Sequence, residues 1–507
     1  MTAKKMLFLV MILCIVAQVQ GATPTIRWQS HYGGSLGEGM AVGGLVKAAD
    51  GNFLLAGDSD SGISGTKSAP NFGGQDFWLV KIDARNGNKL WDRAYGGSGY
   101  DSLMATLPIN NGYLLGGYSY SGQSGNKLAS NFGQADFWVV KTDLEGNRIW
   151  DKVHGGSDDD ILTCMAPTPD GGFILGGYSV SLPSGDKSAS VFGQEDFLFI
   201  KIDANGNKLW DRAYGGDNSD YATGVIVAPN GDLIFGGWSF SGISGNKTCG
   251  NHGGADFWVL RTDSEGNEIF WQDSYGGSAG DYMRCLKPTH DGNLLLGGWS
   301  FSGISGTKSA PNFGGQDFWL VKIDASNGNK LWDKSYGGSN IDQLLTIQET
   351  ADHGLALGGW SFSGISGTKT NANLGNFGDF WLIKTDADGN ELWQGAYGTP
   401  DDDTLDGIVE TSDGGFILAG FSWGYDQSGD ILVFRLNPTE PTMTATGCVG
   451  GHFTGEVSGP PGNYRIEGST NLINWNTVVS SLPATNGVGS FTDPQSFSRR
   501  SYRAVKN

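Results

Sequence analysis

One pattern of about 60 residues occurs seven times in this chain, and it restricts the possible folds more than any other feature. Each copy contains an aromatic residue or histidine followed by glycine; these residues are Tyr32, Tyr95, His154, Tyr214, Tyr275, Tyr336 and Tyr397, spaced by 59 to 63 residues. A second motif, Asp followed by apolar residues, begins at Asp76, Asp136, Asp196, Asp256, Asp317, Asp379 and Asp430. Repetition at a fixed period indicates a repeat architecture rather than several unrelated domains.

Each copy consists of short runs that suit β-strands. Residues 136–143 form a run rich in β-branched and aromatic side chains, residues 144–147 have the composition of a turn, and residues 148–150 begin the next run. Residues 103–108 and 113–120 form two further runs on either side of an Asn-Asn-Gly turn. Four strands per copy result, here called a, b, c and d in chain order. Seven four-stranded units predict a β-propeller, in which small sheets pack around a central axis.

The two ends of the repeat region complete one another. The chain begins with a lone d strand at 26–28, whereas the seventh unit stops after its c strand at 431–436. The spacing of four between Trp28 and Tyr32 also occurs at Trp91/Tyr95, Trp210/Tyr214, Trp332/Tyr336 and Trp393/Tyr397. We therefore predict an all-β fold, a seven-bladed β-propeller closed by the N-terminal strand and followed by a small β-sandwich-like domain. Closure removes the exposed edges of an open arc.

The composition agrees with a folded, strand-rich protein. Glycine accounts for 83 of 507 residues and charged residues for only 17%, which excludes a mainly helical protein. Aromatic residues make up 12%, which excludes a glycine-rich disordered chain. The formal net charge of −20 disfavours polyphosphates and anionic membrane surfaces, so we predict no nucleic-acid partner.

The N-terminal 21 residues have the features of a secretory signal peptide. Lys4 and Lys5 precede an apolar run at 6–17, and small residues lie before Ala22. The sequence therefore predicts export, to the periplasm, the cell surface or the medium. No other apolar stretch approaches the length of a membrane span, and none is predicted.

The remaining chain divides into a propeller at 22–437, a linker at 438–450 and a C-terminal module at 451–507 with β-sandwich-like strands. Four cysteines lie outside the signal peptide: Cys164, Cys249, Cys285 and Cys448. Their spacing does not match a zinc site, and the repeat register separates Cys164 from Cys285 by two blades. Small buried hydrophobic side chains are the favoured interpretation.

The d-to-a and b-to-c connections should share one face of the ring, and they contain the longest loops. An acid follows the aromatic of the first motif by six residues in every copy: Glu38, Asp101, Asp160, Asp220, Asp281, Asp342 and Asp403. One hypothesis is a carboxylate ring that binds a cation or polar ligand at the channel mouth. The other is that each acid caps its own loop or pairs with a loop lysine, and sevenfold repetition favours this local role. The Asp of the second motif is expected to anchor the long loop to strand c.

Blade seven departs from the repeat. Its b-to-c loop shortens to 423–429 and carries Trp423 and Tyr425, which suggests a sugar-stacking site.

Signatures of catalysis and metal binding are weak. The chain has no HExxH, GxSxG or P-loop motif, and its six histidines are scattered, which predicts neither a metal cluster nor a triad. Turns such as 203–207 and 386–390 resemble fragments of calcium loops, but their acidic positions vary and no Glu follows at EF-hand spacing. We predict turns here and no cofactor, with calcium as the alternative.

The segments YGGSGYDSLMATLPINNGYLLGGYSYS and DFWVVKTDLEGNRIWDKVHGG resemble a family of secreted bacterial propeller repeats. The resemblance covers about residues 25–437 and implies extracellular or surface interaction without a general activity. The tail, with YRIEGSTNLINWNTV, is similar to short modules at the C-termini of exported bacterial proteins. KIDARNGNKLW is more loosely similar to the tryptophan-docking repeat of quinoprotein dehydrogenases, which have eight blades and a calcium-bound quinone.

These observations favour a secreted, non-enzymatic scaffold that binds an extracellular protein or polysaccharide on its long-loop face. The alternative is an extracellular enzyme on the same scaffold, either a quinoprotein-like dehydrogenase or a polysaccharide hydrolase or lyase centred at the channel mouth.

Overall fold

The computed structural model describes residues 23–424, 429–438, 442–449, 452–458, 462–469, 474–484, 488–494 and 501–506. These residues form two compact units, Thr23–Asn437 and the segment that begins at Pro438. The described elements are all β-strands. Among them there is no helix with the length and apolar character needed to span a membrane.

The first unit is a seven-bladed β-propeller, as predicted. Its a strands contact one another in sequence around a closed circle, so they line the axis. Blades one to three consist of β2 (Glu38–Lys47), β3 (Phe53–Ser59), β4 (Asp76–Ile82) and β5 (Lys89–Tyr95); β6 (Asp101–Ile109), β7 (Gly112–Ser119), β8 (Asp136–Thr142) and β9 (Arg148–His154); and β10 (Asp160–Pro167), β11 (Phe173–Ser179), β12 (Asp196–Ile202) and β13 (Lys208–Tyr214).

Blades four to six have the same order. They consist of β14 (Asp220–Val227), β15 (Leu233–Ser239), β16 (Asp256–Thr262) and β17 (Ile269–Tyr275); β18 (Asp281–Pro288), β19 (Leu294–Ser300), β20 (Asp317–Ile323) and β21 (Lys330–Tyr336); and β22 (Asp342–Glu349), β23 (Leu355–Ser361), β24 (Asp379–Thr385) and β25 (Glu391–Tyr397). Blade seven combines β26 (Asp403–Glu410), β27 (Phe416–Ser422) and β28 (Asp430–Leu436) with the N-terminal strand β1 (Ile26–Tyr32).

Closure of the ring by the first strand is confirmed. β1 pairs antiparallel with β28 from Ile26 opposite Leu436 to Tyr32 opposite Ile431. The Tyr397 hydroxyl donates a hydrogen bond of 2.9 Å to the carbonyl oxygen of Pro24, which ties the N-terminal segment to blade six as well. Both ends of the repeat region are therefore held by the same closing strand.

Aromatic side chains of the c strands explain why the second motif repeats. The Trp of this motif is fully buried in five blades, as Trp78, Trp138, Trp258, Trp319 and Trp381. The Phe beside it packs against the Trp of the next blade: the ring centroids of Phe77 and Trp138 lie 4.6 Å apart. Burial of such large rings between blades is the main apolar contribution that holds neighbouring blades together.

The second unit contains two three-stranded sheets that share one apolar core. One sheet has the order β29 (Thr442–Val449), β30 (His452–Ser458), β33 (Val488–Thr492), and the other β32 (Asn476–Ala484), β31 (Gly462–Ser469), β34 (Ser501–Lys506). Its core comprises Val457, Tyr464, Ile466, Leu482 and Phe491. The sandwich-like character is as predicted, but the linker assignment at 438–450 is wrong in part, because β29 pairs with β30 and belongs to this module.

The cysteines behave largely as expected. Cys164 and Cys285 are buried and Cys249 is half-buried, and all three are free thiols. The side chain of Cys448 lies outside the described residues, as do the predicted signal peptide and Tyr425.

Candidate functional site

The register of the sheets fixes which loops share a face. Asp101 at the start of β6 is opposite Ser119 at the end of β7, which in turn is opposite Asp136 at the start of β8. The d-to-a and b-to-c connections therefore leave the same end of every blade, called here the long-loop face. The a-to-b and c-to-d turns form the opposite end, called the short-turn face.

The seven acids predicted as ligand candidates are buried on the long-loop side. Each is at most 1% exposed: Glu38, Asp101, Asp160, Asp220, Asp281, Asp342 and Asp403. In blade two, Oδ2 of Asp101 accepts hydrogen bonds from the amide of Gly97 at 2.7 Å and the hydroxyl of Ser121 at 2.8 Å. Burial raises the pKa of Glu38 and Asp160, and the equivalent hydrogen bonds in their own blades act to lower it. The acids thus cap their own loops and are closed off from solution.

The loop lysines do not pair with these acids within 4.0 Å in the described part of the chain. Instead, Nζ of Lys127 donates to the carbonyl oxygens of Ser121 at 2.7 Å and Ala129 at 2.8 Å, and to Oδ1 of Asn131 at 2.7 Å. Burial lowers the pKa of Lys127 to about 8. The b-to-c loop is therefore folded around its lysine, and this part of the local hypothesis needs correction.

The Asp of the second motif anchors the long loop, as predicted. Oδ2 of Asp136 accepts the amide of Phe132 at 2.7 Å, which joins the end of the loop to the first residue of strand c. Burial raises the pKa of Asp136 to about 7, and the carboxylate of Asp160 in the next blade adds to the shift. A polar framework that repeats in blades one to six thus fixes the long-loop face.

The long-loop face leaves two kinds of apolar side chain accessible. Aliphatic residues of the b-to-c loops, such as Ile63 and Ile243, are 71% and 72% exposed, and aromatic residues lie at the ends of the inner strands. Two residues that flank the last Ser of strand b project to the same side of the sheet, because side chains alternate along a strand. Together with Tyr221 and Tyr282 of the a strands, they form a surface that we call the aromatic collar: Tyr118, Tyr120, Tyr178, Tyr221, Trp238, Phe240, Tyr282, Trp299, Phe301, Trp360, Phe362, Phe421 and Trp423.

The collar is continuous across blades three to five. Ring centroids are 4.8 Å apart for Tyr178 and Tyr221, and 4.1 Å for Tyr221 and Trp238. The series continues at 5.1 Å from Trp238 to Tyr282 and at 5.9 Å from Tyr282 to Trp299. The rings that flank it keep large exposed fractions: 44% for Tyr120, 42% for Phe240, 44% for Phe301 and 45% for Trp423. Exposed aromatic clusters of this kind mark interaction sites.

Blade one interrupts the collar with two carboxylates. Asp58 and Asp60 stand where the other blades have mostly aromatic residues. Asp58 accepts hydrogen bonds from the hydroxyl of Ser102 at 2.9 Å and the amide of Leu103, and burial raises its pKa to about 7. Asp60 is exposed. Blade one therefore supplies hydrogen-bond acceptors beside an otherwise apolar collar.

The sequence analysis found one member of this site and missed the rest. Trp423 lies in the collar, with its ring 5.2 Å from Phe421 in an edge-on arrangement. A third repeated motif, Gly-aromatic-Ser, is visible in the sequence at 117–119, 237–239 and 420–422, but by itself it indicates only the repeat. Comparing the residue after each Ser across the blades would have identified both the second aromatic position and the exchange to Asp60.

The inner strands also line a cavity of about 180 Å³ that is open to solvent. Arg284 lines it, and its charge partly offsets the burial that raises the pKa of Asp406 to about 8.

Comparison with known proteins assigns no family to this chain. No family model matches the chain. The regulatory protein FlaEY of Caulobacter vibrioides is 25% identical over 144 residues, which are 27% of this chain and 15% of that protein. The chain thus spans only a small part of this relative.

Several solved structures are similar to this chain at TM-scores below 0.5. The Pan2 WD40 domain of Neurospora crassa has a TM-score of 0.43 at 12% identity, over 78% of this chain and 89% of that domain. A europium-containing methanol dehydrogenase has a TM-score of 0.39 at 12% identity, over 81% and 93%. A fungal alcohol oxidase in complex with copper has a TM-score of 0.41 at 10% identity, over 95% and 96%. These similarities are too low to assign a family or an activity.

Proposed function

We propose that this protein is an exported, non-enzymatic binding scaffold whose aromatic collar binds a neutral polysaccharide. The observation that carries the proposal is the continuous series of partly exposed rings from Tyr178 to Trp299 on the long-loop face, in which edge-on and stacked contacts alternate. Export rests on the sequence of residues 1–21.

Polysaccharide fits this surface for two reasons. The flat C–H faces of pyranose rings pack well on aromatic rings, and successive sugars of an extended chain can use successive rings of the collar. Asp58 and Asp60 at the edge of the collar offer acceptors for sugar hydroxyl groups. Specific sites commonly combine an apolar surface with a few placed polar groups.

The charge of the protein selects among polysaccharides. A net charge of −20 and the exposed carboxylate of Asp60 beside the collar repel uronic acids and sulfated sugars. Neutral chains, or chains that carry amino sugars, meet no such repulsion. The proposed ligand is therefore a neutral or amino-sugar polysaccharide.

A binding experiment with matched variants tests the proposal. The full chain is screened against soluble neutral and acidic polysaccharides by isothermal titration calorimetry, with release of reducing ends followed in the same samples. The double variant Phe240→Ala/Phe301→Ala removes two exposed collar rings. Phe270→Ala serves as the control, because Phe270 is 48% exposed but lies on the outer strand β17.

We expect a neutral polysaccharide to bind the wild type and the control equally, and to bind the double variant about tenfold more weakly, equivalent to ~1.4 kcal/mol. Equal binding to all three proteins would place the ligand elsewhere. Release of reducing ends would replace the binding scaffold with a hydrolase.

A further inference from the structure

Three metal-ligating side chains meet on the short-turn face. His290 lies in the a-to-b turn of blade five, Glu349 ends strand a of blade six, and His353 lies in the following turn. Their ligand atoms all lie within 4.8 Å of one another. Nδ1 of His290 is 2.5 Å from Oε1 of Glu349, and Nδ1 of His353 is 3.9 Å from the same oxygen. The prediction that the histidines form no cluster is therefore wrong.

The contact between Glu349 and its neighbouring turn has a counterpart without histidine. Oε2 of Glu349 accepts the amide of His290 at 3.0 Å, and Oε2 of Glu410 in blade seven accepts the amide of Ala351 at 2.7 Å. The glutamate at this position thus holds the preceding blade's turn in both places. The two imidazoles are an addition specific to the junction of blades five and six.

The backbone at His353 is unusual. It is the only non-glycine residue with positive φ among the described residues, at 62°. The corresponding turn positions of blades one, three, four, five and seven are Gly51, Gly171, Gly231, Gly292 and Gly414, with φ from 80° to 91°. The amide of His353 donates to the carbonyl oxygen of Thr350 at 2.8 Å, as that of Gly292 does to Thr289 at 3.0 Å. A left-handed backbone disfavours any residue with a Cβ, so a role for the imidazole would explain its presence.

The neighbouring charges are already paired. Nζ of Lys322 is 2.7 Å from Oδ2 of Asp291, and Nζ of Lys384 is 3.0 Å from Oδ2 of Asp352. Each of these acids belongs to one of the two turns that carry the histidines. The negative charge that faces both imidazoles is therefore that of Glu349.

We propose that His290, Glu349 and His353 bind one Zn²⁺ ion that bridges blades five and six. Two imidazoles and one carboxylate are a ligand set that zinc takes, whereas calcium prefers oxygen ligands alone. Zinc with three protein ligands keeps a fourth position for water.

Binding requires only side-chain movement. The imidazole rings are stacked with centroids 3.7 Å apart, and ligation needs each ring to turn its nitrogen lone pair towards the ion. Ligand distances of about 2.0–2.2 Å bring the three donors to roughly 3.3 Å from one another, so the donor of His353 approaches Glu349 by less than about 1 Å. The site is at the surface, where His290 is exposed and the other two residues are half-buried, so the ion has direct access from solvent.

The experiment uses the tag-free full chain, stripped with chelator and titrated with ZnCl₂ by calorimetry, with X-ray absorption to count imidazole ligands. His353→Gly restores the residue of the other blades and is the main variant, because it preserves the turn. His290→Ala is the second variant. His252→Ala is the control, since it removes a histidine from the b-to-c loop of blade four, outside the cluster.

We expect one zinc ion per chain, coordinated by two imidazoles, in the wild type and the His252→Ala control. Binding to His353→Gly and His290→Ala should be at least tenfold weaker. At zinc concentrations of about 100 times the wild-type Kd, the wild type should melt roughly 3 °C higher, and His353→Gly should show about half of this shift or less. Unchanged zinc affinity in both histidine variants, or no binding by the folded wild type, would overturn the proposal. Neither result affects the collar, which is on the other face.

Discussion

The long-loop face and the short-turn face are made by the same seven repeats, but the repeats serve them differently. On the long-loop face the repeated polar residues are consumed inside the loops: Asp101 caps its loop and Lys127 is wrapped by carbonyl oxygens. What remains accessible is the aromatic collar, together with aliphatic side chains of the b-to-c loops such as Ile63 and Ile243. On the short-turn face the turns are minimal, and the unusual chemistry comes from a departure, His353 in place of glycine. Repeated charge in this protein builds structure, and function is to be sought in exposed aromatics and in departures from the repeat.

Opening the ring should remove both faces together. Deleting residues 25–34 removes β1 and leaves β28 as an unpaired edge, because β1 is its partner in blade seven. We expect aggregation or a fall in melting temperature of more than about 10 °C, measured by scanning calorimetry. Trp28→Ala should lower the melting temperature less than the deletion does, since Trp28 is only half-buried. An unchanged melting temperature of the deletion variant would contradict closure.

The next largest effect on stability is expected when an acid of the long-loop face is removed, compared with an acid of the short-turn face. Asp101→Ala leaves the amide of Gly97 and the hydroxyl of Ser121 buried without their acceptor, which should lower the free energy of unfolding by about 2–3 kcal/mol. Asp203→Ala, in an exposed c-to-d turn, should cost only about 0.5–1 kcal/mol although Asp203 also accepts two backbone amides. Urea unfolding measures both. Equal losses would mean that the capping acids are not special to the long-loop face.

Two aspartates of blade five should contribute to stability with opposite dependences on pH. Burial raises the pKa of Asp317 to about 7, whereas hydrogen bonds from Lys330 and Ser309 outweigh burial and lower that of Asp333 to about 2. A carboxyl group whose pKa is raised on folding stabilises the folded protein at pH values below its unfolded pKa, which is near 4. This stabilisation is lost as the pH rises through the folded pKa of about 7. A carboxyl group whose pKa is lowered on folding stabilises the folded protein at pH values above its unfolded pKa of about 4. This stabilisation is lost as the pH falls through the folded pKa of about 2.

Melting temperatures of the full chain at pH 5 and pH 8 should therefore favour pH 5, since acids equivalent to Asp317 have raised pKa values in other blades, among them Asp76, Asp136 and Asp256. Asp317→Asn should reduce this difference in melting temperature, and it should lower the free energy of unfolding only slightly at pH 8. Asp333→Asn should cost about 1–2 kcal/mol at pH 8, because charge-assisted hydrogen bonds to Lys330 and Trp319 are lost. The reverse order at pH 8 would contradict the assigned roles.

The sequence predicted the fold better than the sites, and the reason is physical. Blade number and closure followed from local spacing, since Trp28 and Tyr32 repeat the register of every d strand. The collar depends on which side of each inner strand faces outwards, and its neighbouring members come from different blades. Local spacing in the sequence does not indicate either of these. His290 and His353 are 63 residues apart and occupy different positions of their turns, so no fixed spacing indicates that they meet.

The most direct test of the collar is calorimetric titration of a neutral polysaccharide into the wild type, Phe240→Ala/Phe301→Ala and Phe270→Ala. The account predicts binding that weakens about tenfold in the double collar variant and is unchanged in the outer-strand control. A double variant that binds as tightly as the wild type would contradict it.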